Sequence, residues 1–416
     1  MRVLSRFGLV YLTLFCLATQ ISGSLIPNPW FAYRGLGRLW PMREMTHWTA
    51  RTVLGVDVPL DDTSGGETLF FWVQWFWIVL ASVAITVVWT SVDRRRREAS
   101  WPPWWRVAVR VLLAASLIEY GMTKVIPTQF PAPPLTALVT PVGEMTLSAL
   151  LWTTIGSSPA YQIFTGCLEV LAGLLLLIPR TVILGALLAF VALTQVLALN
   201  MAFDIGVKLV TMHLVALAGL VVAPAVRNLA SAIGVVKTGS DRIKADPAAI
   251  RLKTGSTMAL LTIALGVYLI GVQAWVNWSF WQVGGGGRPK SVLYGIWNVE
   301  QLSVDGEVRP TEMNDYDRRW RRVIFDELDS LVIQRTDDSF ARYGASIDRS
   351  NGSIALRKGN GRTWASRLTY DRSGNDRMTL AGEIDGRRIE AALRRVDPSA
   401  FPLLNSGFRW VRPHDP

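Results

Sequence analysis

Apolar residues gather in seven long runs over the first 276 positions: 3–22, Leu69–Val92, Trp105–Ile126, Ala160–Ile178, Val182–Met201, Val207–Val222 and Met258–Val276. Roughly 20 apolar residues in a helix cross the ~30 Å hydrocarbon core of a bilayer. The pattern therefore predicts an α-helical polytopic membrane bundle of about seven spans. The first run, behind Arg2 and Arg6, competes with a signal peptide, but no convincing Ala-x-Ala-like cleavage site follows, and it is read as a retained span. Pro179–Thr181 and Ala202–Gly206 are short connections, which makes the helices they join antiparallel neighbours. The stretch Pro127–Gly156 is too polar and Pro-rich for lipid-exposed backbone. Its middle, Pro141–Thr154, reads as a surface or re-entrant helix packed on protein.

After the four glycines Gly284–Gly287 the period shortens. Segments rich in β-branched and aromatic residues alternate with turn signals such as Asp305-Gly306, Asn351-Gly352, Gly359-Asn360-Gly361 and Ser373-Gly374-Asn375. Asp385-Gly386 between two alternating runs predicts a tight hairpin. Several such strands make a C-terminal antiparallel β-sheet or small barrel. The resulting organisation is 1–104, two N-terminal spans with an outer Trp/Pro-rich loop and an inner Arg cluster; 105–228, a four-helix membrane core; 229–257, a basic cytoplasmic linker; 258–283, the seventh span; 284–290, a Gly-rich hinge; and 291–416, an extracytoplasmic β domain.

Charge orients this arrangement. Residues 1–275 carry 21 Lys+Arg against 13 Asp+Glu, and residues 276–416 carry 22 against 19, so most of the +11 belongs to the apolar part. Arg94–Arg97 directly after the second run places that end in the cytoplasm. With seven spans the N-terminus is inside a bacterial-type cytoplasmic (inner) membrane and the β domain outside. The 18 Trp fit interfacial belts. Basic residues are not gathered on one polar module, so no nucleic-acid partner is expected. Arg318, Arg319, Arg321 and Arg322, flanked by acids, read as a solvated connection. Two cysteines, both in apolar runs, give no disulfide framework or thiolate cluster, and the three histidines give no metal or haem ligand set.

Ionisable groups inside spans are costly, on the order of 2.5–3.5 kcal/mol for Asp or Lys at a helix centre, and so tend to be paired or functional. Glu119 lies 14 residues beyond Trp105, ~21 Å at 1.5 Å per residue. Glu169 is near the middle of its run, on a face with Gly166 and Gly173 where a helix would approach. Both are candidate proton-exchanging groups. Tyr120 reads as a belt residue or ligand contact. Lys124 and Lys208 either snorkel to the interface or act in a site. Asp204 and Lys208, four apart, can neutralise each other. His213 reads as a packing residue or a ligand contact.

Residues 105–228 resemble the DoxX/DoxX-like membrane family. The likeness is carried by Tyr120-Gly121-Met122-Thr123-Lys124, Pro131-Ala132-Pro133-Pro134-Leu135, Ser158–Gly166, Glu169 with Gly173–Leu176, and Asn200 with Phe203–Leu209. It implies a four-helix core in a quinone or redox neighbourhood, a redox protein partner, and Glu119, Tyr120, Lys124, Glu169, Asn200, Asp204, Lys208 and His213 as polar-ligand candidates. Gly295-Ile296-Trp297 is similar to the G-x-W start of lipocalin-like barrels. Two readings follow. One is an accessory subunit of a quinone-linked membrane system, with quinone as its small-molecule partner. The other is a membrane-anchored binding protein without chemistry, whose outer β domain captures an apolar or amphipathic ligand. An open, apolar-lined interior favours the second, and a fully filled one opposes it.

Overall fold

The computed structural model describes residues 2–26, 35–57, 68–93, 101–232, 256–310, 316, 318–359, 365–405 and 410. Arg94–Arg97 and most of the 229–257 linker lie outside them. The chain divides into two compact units, one of residues 1–129 and 160–280, the other of 130–159 and 281–416.

The first unit is helical: α1 (Arg2–Ala18), α2 (Gln20–Gly23), α3 (Met42–Val53), α4 (Leu69–Val92) and α5 (Pro103–Val125), then, beyond a helix of the other unit, α6 (Leu147–Gly156), come α7 (Pro159–Leu177), α8 (Val182–Ala202), α9 (Lys208–Ala232) and α10 (Ser256–Val283). Among the described residues five helices are long and apolar enough to cross a membrane: α4, α7, α8, α9 over Lys208–Val226, and α10 over Ala259–Val283. α1 is shorter at 17 residues, and α5, at 23 residues, carries Arg106, Arg110, Glu119 and Lys124. Pro103 and Pro159 begin α5 and α7, where a missing N–H costs nothing. The outer Trp/Pro-rich loop between the first two runs contains α3. That helix buries Thr46, Thr49 and Ala50, and the two threonine hydroxyls donate back to Met42 O and Met45 O, so its inner face carries little hydrophobic signal. α5 and α7 touch through glycine. A Cβ on Gly166 would stand 2.6 Å from the Gly121 carbonyl oxygen and 2.7 Å from Lys124 Cβ.

Among its described residues the second unit holds nine antiparallel strands: β1 (Gly295–Val304), β2 (Glu307–Val308), β3 (Trp320–Phe325), β4 (Ser330–Arg335), β5 (Phe340–Asp348), β6 (Ser353–Arg357), β7 (Ala365–Asp371), β8 (Arg377–Ile384) and β9 (Arg387–Arg395). β1 pairs with β3 over Gly295–Asn298 and with β9 over Trp297–Val304, and a bulge lies between Val299 and Gln301. That double pairing closes eight strands into a barrel, with β2 appended to β1. The Asp385-Gly386 hairpin is as predicted. Both residues have positive φ, 51° and 74°, which matches the strand twist and suits Asp and Gly.

Alternation sends Trp297, Val323, Ile354, Leu356, Leu368 and Leu380 inward, all at most 1% exposed. The opposite face is also covered over one patch. Ile296, Ile324 and Val332 point outward and are buried among Leu135, Leu138, Val139, Tyr294, Phe340, Val396 and Phe401. Asp326 accepts from Leu135 N at 2.9 Å and from Arg288 at 2.5 Å, while Gln334 Nε2 donates to Val139 O at 3.0 Å. Leu135–Val139, just before the predicted helix Pro141–Thr154, packs on the barrel wall, and the helix itself forms as α6 over Leu147–Gly156, capped by Thr146.

Candidate functional site

The structure brings together part of the polar set in the helical unit. Lys124 turns inward instead of snorkelling: at 6% exposure it donates to both oxygens of Glu169, at 2.7 and 2.6 Å. Each charge answers the other where both are buried. One turn earlier on α5, Tyr120 Oη accepts from Gln20 Nε2 at 2.5 Å, and Glu119 accepts from Ser24 Oγ. Ser116 Oγ donates in turn to Ser24 Oγ at 3.3 Å. Glu119 and Tyr120 are half-buried. The remaining candidates stand in separate contacts. Asn200 donates to Thr211 Oγ1 at 3.0 Å across α8 and α9, and Lys208 meets Asp204 at 2.6 Å, as four-residue spacing predicts.

His213 belongs to a chain that sequence reasoning missed. Its Nδ1 lies 2.7 Å from Leu209 O, an acceptor only, so the proton sits on Nδ1 and Nε2 accepts from Tyr11 Oη at 2.6 Å. Tyr11 in turn accepts from Trp75 Nε1 at 2.8 Å, and the Phe15 ring stacks on the imidazole at 3.5 Å. Tyr11, Gln20, Ser24 and Trp75 come from α1, α2, α4 and their margins. Nothing in their spacing distinguishes them from belt or cap residues. A cavity of about 20 Å³ among Phe15, Thr19, Gln20, Gln74 and Trp75 is the size of a single water.

The larger space is in the barrel. One end is plugged: Trp297 is fully buried, its Nε1 donates to Leu293 O at 2.9 Å, and Arg372 covers its ring at 5.9 Å. Beside it Arg395 donates to Tyr294 O at 3.0 Å. The other end, where β1, β4 and β8 finish and β5 and β9 begin, holds a cavity of about 210 Å³. Val304, Trp320, Ile333 and Ile389 form its apolar floor, and Arg309, Arg318, Arg335 and Arg387 stand around it with Tyr343 and Asp385.

Alternation explains the lining. Arg335 follows Ile333 on the inner face of β4, and Arg387 precedes Ile389 on that of β9, so the inward rows turn from apolar to cationic at the rim. Tyr343 donates to Asp385 Oδ2 at 3.1 Å, and Lys358 meets Asp385 Oδ1 at 3.1 Å. Burial, and then the Asp385 charge, push the Tyr343 phenol up to about 12, so it stays a neutral donor at neutral pH. The four arginines read as one solvated connection occupy four environments. Arg319 is buried and donates to Arg309 O and Trp320 O, Arg321 pairs with Asp338 at 2.7 Å, Arg322 donates to Gln334 at 2.9 Å, and Arg318 lines the cavity. The signal for the mouth was present as inward-register arginines at strand ends, but the register itself was not readable.

No family model matches the chain, and no solved structure matches it. Among curated proteins it is similar to the uncharacterized protein YwoB of Bacillus subtilis (strain 168), with 38% identity over 102 residues. The match covers 24% of this chain and 62% of that relative's length.

Proposed function

We propose that the chain is a membrane-anchored binding protein whose outer barrel, similar to the lipocalin-like class through its G-x-W start, takes a small amphipathic ligand at its open mouth. The observation that carries this reading is the 210 Å³ cavity at one end of a barrel that is otherwise filled. It is below the ~300–1,000 Å³ of drug-sized ligand sites. A long apolar chain has no room behind it, because the packed Val323, Leu356 and Leu380 occupy the interior. In the same reading α1 and α5 join the five apolar helices as spans, giving seven, with the N-terminus inside a bacterial-type cytoplasmic membrane and the barrel outside.

The test is the small-molecule content of the full-length protein, purified in mild detergent without stripping lipid and compared by mass spectrometry with Ala341→Phe. Ala341 lines the cavity, and phenylalanine would fill it. A molecule retained by wild type and lost from the variant is the expected result.

A second reading rests on Glu119 and Tyr120, adjacent and half-buried beside Ser24 and Gln20. In it the helical unit is a DoxX-like accessory subunit that meets a quinone head group and a redox partner there. Quinone lost from Glu119→Gln, with Ala341→Phe indistinguishable from wild type, would favour this reading and sink the first.

A further inference from the structure

Three sides of α3 meet three different surroundings. Thr46, Thr49 and Ala50, spaced i, i+3 and i+4, form a buried stripe against α4. Thr49 Oγ1 accepts from Trp77 Nε1 at 2.9 Å, the His47 and Phe70 rings lie 5.5 Å apart, and Ala50 packs with Phe70 and Phe71. At ~100° per residue, Met45 and Trp48 fall to one side of that stripe, and Arg43, Glu44 and Arg51 to the other. The apolar side stays open: Trp48 is 60% exposed, and Trp40 just before the helix 81%. Glu44 and Arg51 on the polar side are exposed as well.

The height at which α3 is fixed says what covers the apolar side. Trp77 stands eight residues after Leu69, ~12 Å along α4, and side chains lean toward the start of their helix. The contacts with Phe70 and Trp77 therefore lay α3 across the first two turns of α4. α4 has 24 residues, ~36 Å, against a hydrocarbon core of ~30 Å. With α4 across a bilayer, those two turns straddle the boundary between headgroups and acyl chains. Amphipathic helices settle in that boundary with the apolar side ~5–10 Å deep, and Trp is favoured there. Trp72 and Phe76, on the same turns of α4, are exposed too, so the open apolar side of α3 continues onto α4.

We infer that α3 is an interfacial helix that binds phospholipid of the leaflet in which α4 begins. Met45 and Trp48 enter the acyl boundary, while Arg43 and Arg51 meet headgroup phosphates, whose oxygens suit the guanidinium fork. The inference needs α4 as a span and is independent of what the barrel or Glu119 binds.

The experiment attaches a nitroxide to W48C, R51C or V83C, one at a time, in full-length protein carrying C16A and C167A. The native side chains at 48, 51 and 83 are all exposed, so the label replaces no packed group. In nanodiscs of phosphatidylcholine and phosphatidylglycerol, power saturation compares collisions with oxygen, which concentrates in lipid, and with a nickel chelate, which stays in water. V83C, 14 residues into α4, supplies the value for a lipid-facing site. The oxygen-to-chelate ratio at W48C should approach that of V83C and exceed that of R51C severalfold.

Equal ratios at W48C and R51C, both favouring the chelate, put α3 in water and overturn the inference. Shielding of W48C from both reagents overturns it as well, since protein rather than lipid then covers that side. Chelate access at V83C takes α4 out of the membrane, and the inference falls together with the seven-span arrangement. The phosphate contact has its own readout in native mass spectrometry. Replacing both arginines, Arg43→Gln and Arg51→Gln, should reduce the phospholipid retained after mild delipidation, and unchanged retention overturns their role.

Discussion

The Lys124–Glu169 pair is the point in the helical unit where a single residue decides most. Both side chains are under 10% exposed and meet at 2.6 Å. Removing one partner leaves the other's charge buried and unpaired, at a cost of about 3–5 kcal/mol, whereas removing both often costs little. Lys124→Met or Glu169→Gln alone should therefore lower the melting temperature sharply in detergent, and the double variant should recover most of the loss. A double variant as damaged as the two single losses added together would mean the groups do not act as a pair. From the sequence, Glu169 was legible as a buried acid on a small-residue face. Its partner was not. Lys124 sits at the end of its run, where a long side chain ordinarily reaches for the interface, and only the depth at which α5 meets α7 turns it inward.

That depth is set by glycine at the element scale. Gly121 and Gly166 face each other across α5 and α7, and the backbone of one fills the place of the other's missing Cβ. Gly166→Ala should push the helices apart, strain the Lys124–Glu169 contact and destabilise the protein by about 1–3 kcal/mol. Gly271→Ala in α10, where a Cβ meets nothing within 4 Å, should leave stability unchanged or raise it by the helix propensity of alanine. Equal melting of the two variants would remove the close-packed interface from the account. The apolar runs, the tight α7–α8 and α8–α9 connections and the Asp385-Gly386 hairpin were all readable, because each is a local pattern. α3 was not, since its buried face is built of Thr46, Thr49 and Ala50 rather than large apolar groups. Barrel closure through β1 and β9 was not readable either. It joins strands about 90 residues apart, and no local period records which edge strands meet.

At the scale of the whole molecule, sequence order and physical grouping differ. The chain leaves α5, supplies residues 130–159 to the barrel unit, and only then begins α7. A closed barrel has no free edge strands, so its exposed weakness is its outer face. Here that face carries Ile296, Ile324 and Val332, each at most 3% exposed under a cover that Leu135, Leu138 and Val139 form together with Tyr294, Phe340, Val396 and Phe401. Burying an aliphatic side chain is worth ~1.5–3 kcal/mol. A fragment of residues 281–405 should therefore close its strands yet expose an apolar patch, bind a hydrophobic dye and self-associate. The same fragment with residues 130–159 tethered to it by a flexible linker should run as a monomer on size exclusion. Leu135→Ser in the tethered form should move it back toward association, because it removes the most buried side chain that residues 130–159 lay on the patch while leaving the Leu135 backbone bond to Asp326 available. If 281–405 alone is monomeric and dye-silent, the segment is dispensable to the barrel, and its grouping with that unit reflects the chain's path rather than the barrel's need for cover.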